Sequence, residues 1–91
     1  MLYLVSYDIP DTGRRTKLAK TLKDFGDRVQ YSVFECILDS SLLNKMVARI
    51  KKIVLQEDDS VRIYAICANC ERVIHIIGQG KVTKMENIYI V

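Results

Sequence analysis

Residues 28–38 read RVQYSVFECIL, a central run on which the topology of the whole chain depends. β-Branched and aromatic residues are frequent in it, which is typical of a strand. The run contains no glycine, proline or asparagine at which a hairpin turn would be placed. The residues by themselves therefore predict one long strand, with or without a bulge, rather than two short strands.

Strand and helix patterns precede this run. Residues 2–8 are rich in β-branched and aromatic types and predict a strand that places Asp8 at its C-terminal end. After candidate caps at Asp11 and Thr12, apolar residues recur at helical spacing until Gly26 stops the pattern. The apolar residues of this first helix are Leu18, Ala19, Leu22 and Phe25.

The patterns that follow the run complete the order of elements. Ser40 or Ser41 is the predicted cap of a second helix. Alternation over residues 60–67 predicts another strand, and residues 73–77 and 87–91 predict two short ones. The apolar face of the second helix is formed by Leu42, Leu43, Met46, Val47, Ile50, Ile53 and Val54. This order favours an α+β sandwich, in which two helices cover one face of a sheet.

Composition indicates a single globular domain. The 91 residues carry a net charge of +3, and 49% are hydrophobic and 27% charged, which suits one compact core rather than a disordered chain. The mildly basic balance permits a polyanionic partner without requiring one. The apolar opening is interrupted by Asp8 and lacks the features of a secretory signal, and no run has the ~18 to 20 apolar residues of a membrane span. We therefore expect a cytoplasmic protein with no membrane partner.

Asp8 is the first candidate for chemistry. A carboxylate at a strand end beside a turn is free to bind a hard cation such as magnesium through oxygen. A single carboxylate makes a poor site, but a two-fold axis near Asp8 would bring a second copy alongside, and a metal would offset the repulsion. The alternative is an aspartate that caps the turn after the strand.

Basic residues provide candidate contacts to phosphates. Arg14, Arg15 and Lys17 lie at the start of the first helix, and Arg28 begins the central run. Phosphate contacts are independent of sequence and are driven by the release of counterions. A solvated helix face is the alternative.

Two aromatic residues have two open interpretations. Tyr7 and Phe34 are candidates for stacking on bases, as aromatic side chains do in proteins that bind single strands. Buried packing in the core is the alternative for both.

The cysteines do not form an obvious site. Cys67 and Cys70 have the C-x-x-C spacing of redox and zinc sites, but structural zinc normally takes four protein ligands, and Cys36 is distant in sequence. We expect free thiols and a plain turn here, and a structural role for His75, the only histidine. The sequence contains no Ser-His-Asp set, P-loop or dinucleotide-binding fingerprint.

Several segments together resemble the CRISPR-associated Cas2 family, and the likeness covers essentially the whole chain. The matching segments are Tyr7-Asp8-Ile9, residues 28–36 (RVQYSVFEC), residues 61–64 (VRIY) before Cys67, and Ile76-Ile77-Gly78. The resemblance implies a ferredoxin-like βαββαβ fold with an antiparallel sheet, in which residues 28–38 supply two consecutive short strands. It also implies one domain over residues 1–91, with a core to about residue 78 and a C-terminal dimerisation segment over 79–91.

The resemblance also implies a function. The family combines a magnesium- or manganese-dependent endonuclease, acting on single-stranded RNA or duplex DNA, with a scaffold role in spacer acquisition. In that role a homodimer joins dimers of the Cas1 integrase and supports the DNA. Asp8 matches the metal-binding acid, and the residues that match positions affecting cleavage are Arg15, Lys17, Arg28 and Phe34. A non-catalytic adaptor is the second hypothesis, and a regulatory module that binds a metabolite is the third.

Overall fold

The structure, a computed structural model, describes residues 1–83. Within them, four strands and three helices follow one another along the chain. They are β1 (Leu2–Asp8), α1 (Thr12–Leu22), β2 (Asp27–Gln30), β3 (Val33–Ile37), α2 (Ser40–Lys51), β4 (Ser60–Ile66) and α3 (Ala68–Glu71). No helix in this range is long and apolar enough to cross a membrane.

The strands form one antiparallel sheet in the order β2-β3-β1-β4. Side chains alternate across a sheet, and Val5 and Tyr7 of β1 point to the face on which the core lies. Residues of α1 and α2, among them Leu18 and Met46, pack on this same face. The arrangement is a ferredoxin-like fold, as the family resemblance implies.

Residues 28–38 form two strands, so the prediction of a single long strand is wrong. Tyr31 and Ser32 connect β2 to β3, and Gln30 pairs directly with Val33. No residue other than glycine among those described has a positive φ, so this two-residue turn needs none of the left-handed residues that mark most tight hairpins. A register shift between Arg28 and Gln30 bulges β2.

Aspartates cap both long helices. Asp11, one of the two predicted caps, is the N-cap of α1, and its carboxylate accepts the backbone N–H of Arg14 at 2.8 Å. The cap of α2 is Asp39 rather than either predicted serine, because its carboxylate accepts the N–H of Leu42 at 2.8 Å. The serines occupy the first turn of that helix instead.

Gly26 joins the helical layer to the sheet. A Cβ atom here would lie 2.2 Å from the backbone oxygen of Glu35 and 2.6 Å from Sγ of Cys36, which no side chain tolerates. Glycine therefore allows the chain to pass directly from α1 to β2 against β3. Phe25, immediately before it, is fully buried in the core.

The segment after α3 does not form the predicted strand over residues 73–77. The backbone N–H groups of Val73 and Ile74 donate to the oxygens of Cys70 and Glu71, both at 3.2 Å, so they are used in a turn and not in a ladder. The segment then reaches the open face of the sheet, defined as the side away from α1 and α2. There the hydroxyl of Thr83 hydrogen-bonds the carboxylate of Glu35. The predicted strand over 87–91 lies outside the described residues.

A buried ion pair ties α1 to the turn before β4. Arg14 donates from Nε and Nη2 to the two carboxylate oxygens of Asp59, at 2.9 and 3.1 Å. The side chain of Asp59 is inaccessible to solvent, and it also accepts the backbone N–H of Leu55 at 2.9 Å. The hydrogen bonds from Arg14 and then from Leu55 lower the pKa of Asp59 below its usual value.

We predict that Asp59→Asn destabilises the protein at neutral pH and much less in acid. A carboxylate whose folded pKa is lowered contributes stability above its unfolded pKa of about 3.9, and this contribution is lost as the pH falls through the folded value. Thermal unfolding at neutral pH and near pH 3 measures the difference between variant and wild type. Asp24→Asn is the control, because Asp24 pairs with Arg49 at the exposed surface. Equal effects of the two substitutions would contradict the prediction.

Candidate functional site

Asp8 ends β1 and is exposed on the open face of the sheet. It pairs with Ser60 of β4, and alternation along β1 places it on the side of Leu4 and Ser6, opposite the core. Within residues 1–83, no hydrogen bond or ion pair engages its carboxylate. The turn-capping alternative is therefore not observed, and Asp11 caps the following helix instead.

Arg15 braces the turn that follows Asp8. Its Nη1 donates to the backbone oxygens of Ile9 and Pro10 at 3.0 and 3.4 Å, and its Nη2 donates to the hydroxyl of Thr12 at 3.2 Å. The guanidinium thus holds the backbone between β1 and α1. The side chain of Arg15 is half-buried in this position.

Arg28 lies in a cage of three aromatic rings. Its Nη2 donates to the hydroxyl of Tyr7 at 3.1 Å, and its guanidinium carbon lies 5.5 Å from the ring centre of Phe34 and 5.9 Å from that of Tyr31. The Tyr7 hydroxyl donates in turn to the backbone oxygen of Tyr31 at 3.4 Å. We call Arg28 with Tyr7, Tyr31 and Phe34 the arginine cage. Cation–π contacts of this kind orient the cation while leaving its remaining donors free.

Two of the predicted aromatic residues pack in the core. Phe34 is completely buried and Tyr7 is 5% exposed, as the packing alternative describes, and contact with nucleic acid stays a prediction for both. Their rings pack together with centroids 6.4 Å apart. Tyr31, which is not among the predicted site residues, is 72% exposed. It lies in the central run, where a single continuous strand is predicted, and it is the turn between β2 and β3 that exposes its ring.

The other two basic candidates, Arg14 and Lys17, differ in whether their charged groups are free to contact a phosphate. Arg14 is engaged with Asp59, so its guanidinium serves the fold. Lys17 is exposed on α1 and has no ion-pair partner among residues 1–83. A role in nucleic-acid binding stays a prediction for both residues.

Asp8 and the arginine cage lie at the same end of the sheet but on its opposite faces. The backbone N–H of Tyr7 donates to the oxygen of Ser32 at 3.1 Å, which brings the β2–β3 turn beside the end of β1. The turn held by Arg15 follows directly, and β4 begins opposite Asp8. This end of the sheet therefore carries an exposed carboxylate on the open face. On the opposite face it carries the guanidinium of Arg28, with the exposed ring of Tyr31 in the adjoining turn.

A single carboxylate does not make a cation site by itself. Within the described part of the chain, no three histidine, cysteine, aspartate or glutamate side chains come together. Magnesium, however, is often held by one or two carboxylates, while waters and substrate phosphates complete its shell. Asp8 fits that type of site, and the fit improves if a second chain adds its own Asp8.

The open face carries a large cleft and exposed apolar side chains. The cleft has a volume of about 980 Å³ and lies between the sheet and the segment after α3, with Leu4, Val33 and Ile76 among its lining residues. Tyr64, the cross-strand neighbour of Leu4, is 48% exposed, and Ile77 is 97% exposed. Within residues 1–83 neither long helix covers these side chains, and contiguous exposed apolar surface is common at interaction sites.

Comparison with known proteins gives one family. The model of the family described as CRISPR associated protein Cas2 matches residues 1–74. A CRISPR-associated endoribonuclease Cas2 of Synechocystis is 45% identical over 83 residues, which cover 91% of this chain and 90% of the relative. A CRISPR-associated endonuclease Cas2 of Thermus thermophilus is 40% identical over 89 residues, covering 98% and 94% of the two chains.

Solved structures give the same result. A hypothetical protein from Thermus thermophilus superimposes with a TM-score of 0.79 at 44% identity, covering 88% of this chain and 93% of that one. Streptococcus pyogenes Cas2 gives 0.76 at 33%, covering 86% and 100%. A chain of a structure described as a partial Cas6-RT-Cas1–Cas2 complex gives 0.67 at 29%, covering 84% and 89%.

Proposed function

The chain belongs to the CRISPR-associated Cas2 family, and we propose that it is a cytoplasmic, nucleic-acid-binding homodimer with a metal-dependent endonuclease activity centred on Asp8. In this proposal it also assists the Cas1 integrase in inserting new spacers. Relatives named endoribonuclease and endonuclease support the nuclease activity without separating RNA from DNA as the substrate. The observation that carries the proposal is the exposed Asp8, unpartnered within residues 1–83, at the end of β1 and before a turn whose backbone Arg15 holds.

Asp8 would hold magnesium or manganese with waters and phosphate oxygens. The ion supplies charge neutralisation at the phosphate when it is bound. The protein contributes position: β1 fixes Asp8 through its pairing with β4, and Arg15 fixes the backbone that follows. Arg28 approaches from the neighbouring hairpin and offers its free N–H donors to the phosphate backbone.

We predict that Asp8→Asn abolishes magnesium-dependent cleavage. The loss of a metal ligand worth several kcal/mol lowers the rate about 100-fold or more, while an exposed strand end tolerates the change without unfolding. Cleavage of single-stranded RNA and duplex DNA is measured with and without magnesium, and circular dichroism checks the fold.

Asp58→Asn is the matched control, since it removes an exposed carboxylate from the turn before β4. Cleavage undiminished in Asp8→Asn, or lost equally in both variants, would contradict a catalytic role for Asp8. No cleavage by the wild type would favour the scaffold function. One observation supports that second candidate: a structural neighbour is part of a Cas1–Cas2 complex.

The arginine cage supports contact with the phosphate backbone rather than with bases. Phe34 and Tyr7 are buried and hold Arg28 in place, so the guanidinium is the group that is presented. Contacts from an arginine to phosphates carry no information about sequence. Tyr31, exposed above the same guanidinium, is the one aromatic ring of the cage able to reach a base.

We predict that Arg28→Ala weakens nucleic-acid binding without changing sequence preference. The slope of the logarithm of the binding constant against the logarithm of the salt concentration should become shallower by about one unit. Tyr7→Phe keeps the packed ring and removes the hydroxyl that orients Arg28, so it should weaken binding less. Fluorescence anisotropy over a range of salt concentrations measures both effects. Arg49→Ala is the control, because it removes the same charge from α2. If Arg49→Ala weakened binding as much as Arg28→Ala does, Arg28 would contribute only through the net charge of the protein.

A second copy of the chain is the proposed occupant of the open face. A two-fold axis on this side would cover the exposed Tyr64 and Ile76 and would bring the two Asp8 residues toward each other. It would also join the Arg15, Lys17 and Arg28 side chains of two chains into one longer surface for a duplex. Exchange of the strand predicted over residues 87–91 stays a prediction that belongs to the same interface.

We predict that Tyr64→Glu converts the dimer into a monomer. A carboxylate on the open face would lose its hydration when the two sheets meet. Its neighbour Arg62, whose Nη1 lies 3.4 Å from the Tyr64 hydroxyl, would be buried with it, and the desolvation of both charges opposes the contact. Light scattering at micromolar concentration measures the mass, which for the wild type should be twice the 10.5 kDa of the chain. Leu55→Glu, at a residue that is 41% exposed between α2 and β4, is the control and should remain dimeric. A dimeric Tyr64→Glu variant would exclude this face as the interface.

A further inference from the structure

The three thiols of the chain have different environments. Cys67 and Cys70 are exposed, whereas Cys36 is completely buried in β3. Burial raises the pKa of Cys36 to about 12, and the nearby carboxylates of Asp27 and Glu35 act in the same direction. Because the thiolate is the reactive form, Cys36 is inert in the folded protein. The two exposed thiols are the ones available for chemistry, and the proposed function uses neither.

The backbone places Cys67 and Cys70 on one closed turn. Cys67 immediately precedes α3, and its carbonyl oxygen accepts the N–H of Glu71 at 2.9 Å. Residues three apart on such a turn have Cβ atoms about 5–6 Å apart, and a disulfide needs about 3.5–4.5 Å. Cys67 lies outside the helix, with extended backbone angles of φ −70° and ψ 166°, so its Cβ atom is not held at the helical spacing. A small adjustment of the backbone at Cys67 would bring the two Cβ atoms to the distance that a disulfide needs.

The two thiols are also unequal. The backbone N–H and the thiol of Cys70 stabilise the Cys67 thiolate and lower the pKa of Cys67, while the same contact raises the pKa of Cys70. A pair with one thiol that ionises more readily and a neighbour within reach is typical of a nucleophilic and a resolving cysteine.

We propose that Cys67 and Cys70 are a redox site, which forms a reversible intramolecular disulfide by exchange with a low-molecular-weight disulfide such as glutathione disulfide. The thiolate of Cys67 attacks one sulfur of that molecule, its S–S bond breaks, and one small thiol leaves with a proton from solvent. Cys70 then loses its proton and attacks the sulfur of Cys67, which releases the second small thiol. Two protein thiols are oxidised by two electrons, and one small disulfide is reduced to two thiols.

The position of the pair gives the disulfide a structural effect. The turn connects β4, the outermost strand on its side of the sheet within residues 1–83, to the segment that reaches the open face, where Thr83 hydrogen-bonds Glu35. A closed disulfide would restrict the backbone of this turn, and therefore the direction in which the following segment leaves the sheet. The redox state of the pair would thus act on the face that carries Tyr64 and Ile76.

The test equilibrates the full chain in glutathione buffers of increasing disulfide content, followed by acid quenching, alkylation and mass spectrometry. We expect two of the three thiols to disappear together into a Cys67–Cys70 disulfide, with Cys36 alkylated only after denaturation. Cys70→Ser should accumulate a mixed disulfide between glutathione and Cys67. Cys67→Ser should react markedly more slowly. Both positions are exposed, so the variants are expected to fold, which circular dichroism checks.

Three results would overturn the proposal. The first is a pair that remains reduced at every buffer ratio, and the second is a disulfide that joins two chains instead of closing within one. The third is zinc retained through purification that protects both thiols from alkylation until a chelator is added. If Cys67→Ser and Cys70→Ser reacted with glutathione disulfide at equal rates, the assignment of Cys67 as the attacking thiol would be wrong.

Discussion

The chain passes so closely against β3 at Gly26 that only glycine fits there, and the functional end of the sheet depends on that contact. Because α1 ends directly on the sheet, Phe25 enters the core and β2 begins one residue after Gly26. Arg28 is the second residue of β2 and pairs with Phe34 of β3. A longer or looser connection would move Arg28 away from the rings that orient it.

The two-residue period of β1 lets one strand serve two purposes. Tyr7 points into the core and orients Arg28 through its hydroxyl, while Asp8 points to the open face and is free to meet a cation. A shift of the register by one residue would bury Asp8 and expose Tyr7 together. The carboxylate and the arginine cage therefore share a single determinant, which is the pairing of β1 with its two neighbours.

The elements that the sequence predicts correctly are those with a periodic pattern of apolar residues. β1, both long helices and β4 were located correctly, because their alternating or helical apolar patterns face one core. The β2–β3 turn was missed because none of its residues needs a left-handed backbone, so no glycine or asparagine marks it. The apolar run 73–77 was misassigned because its first backbone donors close a turn onto α3. The Arg14–Asp59 pair, separated by 45 positions, has no local pattern that would reveal it.

The ordinary backbone of the Tyr31–Ser32 turn has an evolutionary consequence. A hairpin that requires glycine restricts its own sequence, whereas this one accepts almost any pair of residues without a steric penalty. The side chain at position 31 is thus free to vary independently of folding, although its backbone oxygen is used by Tyr7. Substitution at position 31 can therefore change the group that the hairpin presents beside Arg28 without changing how the hairpin folds.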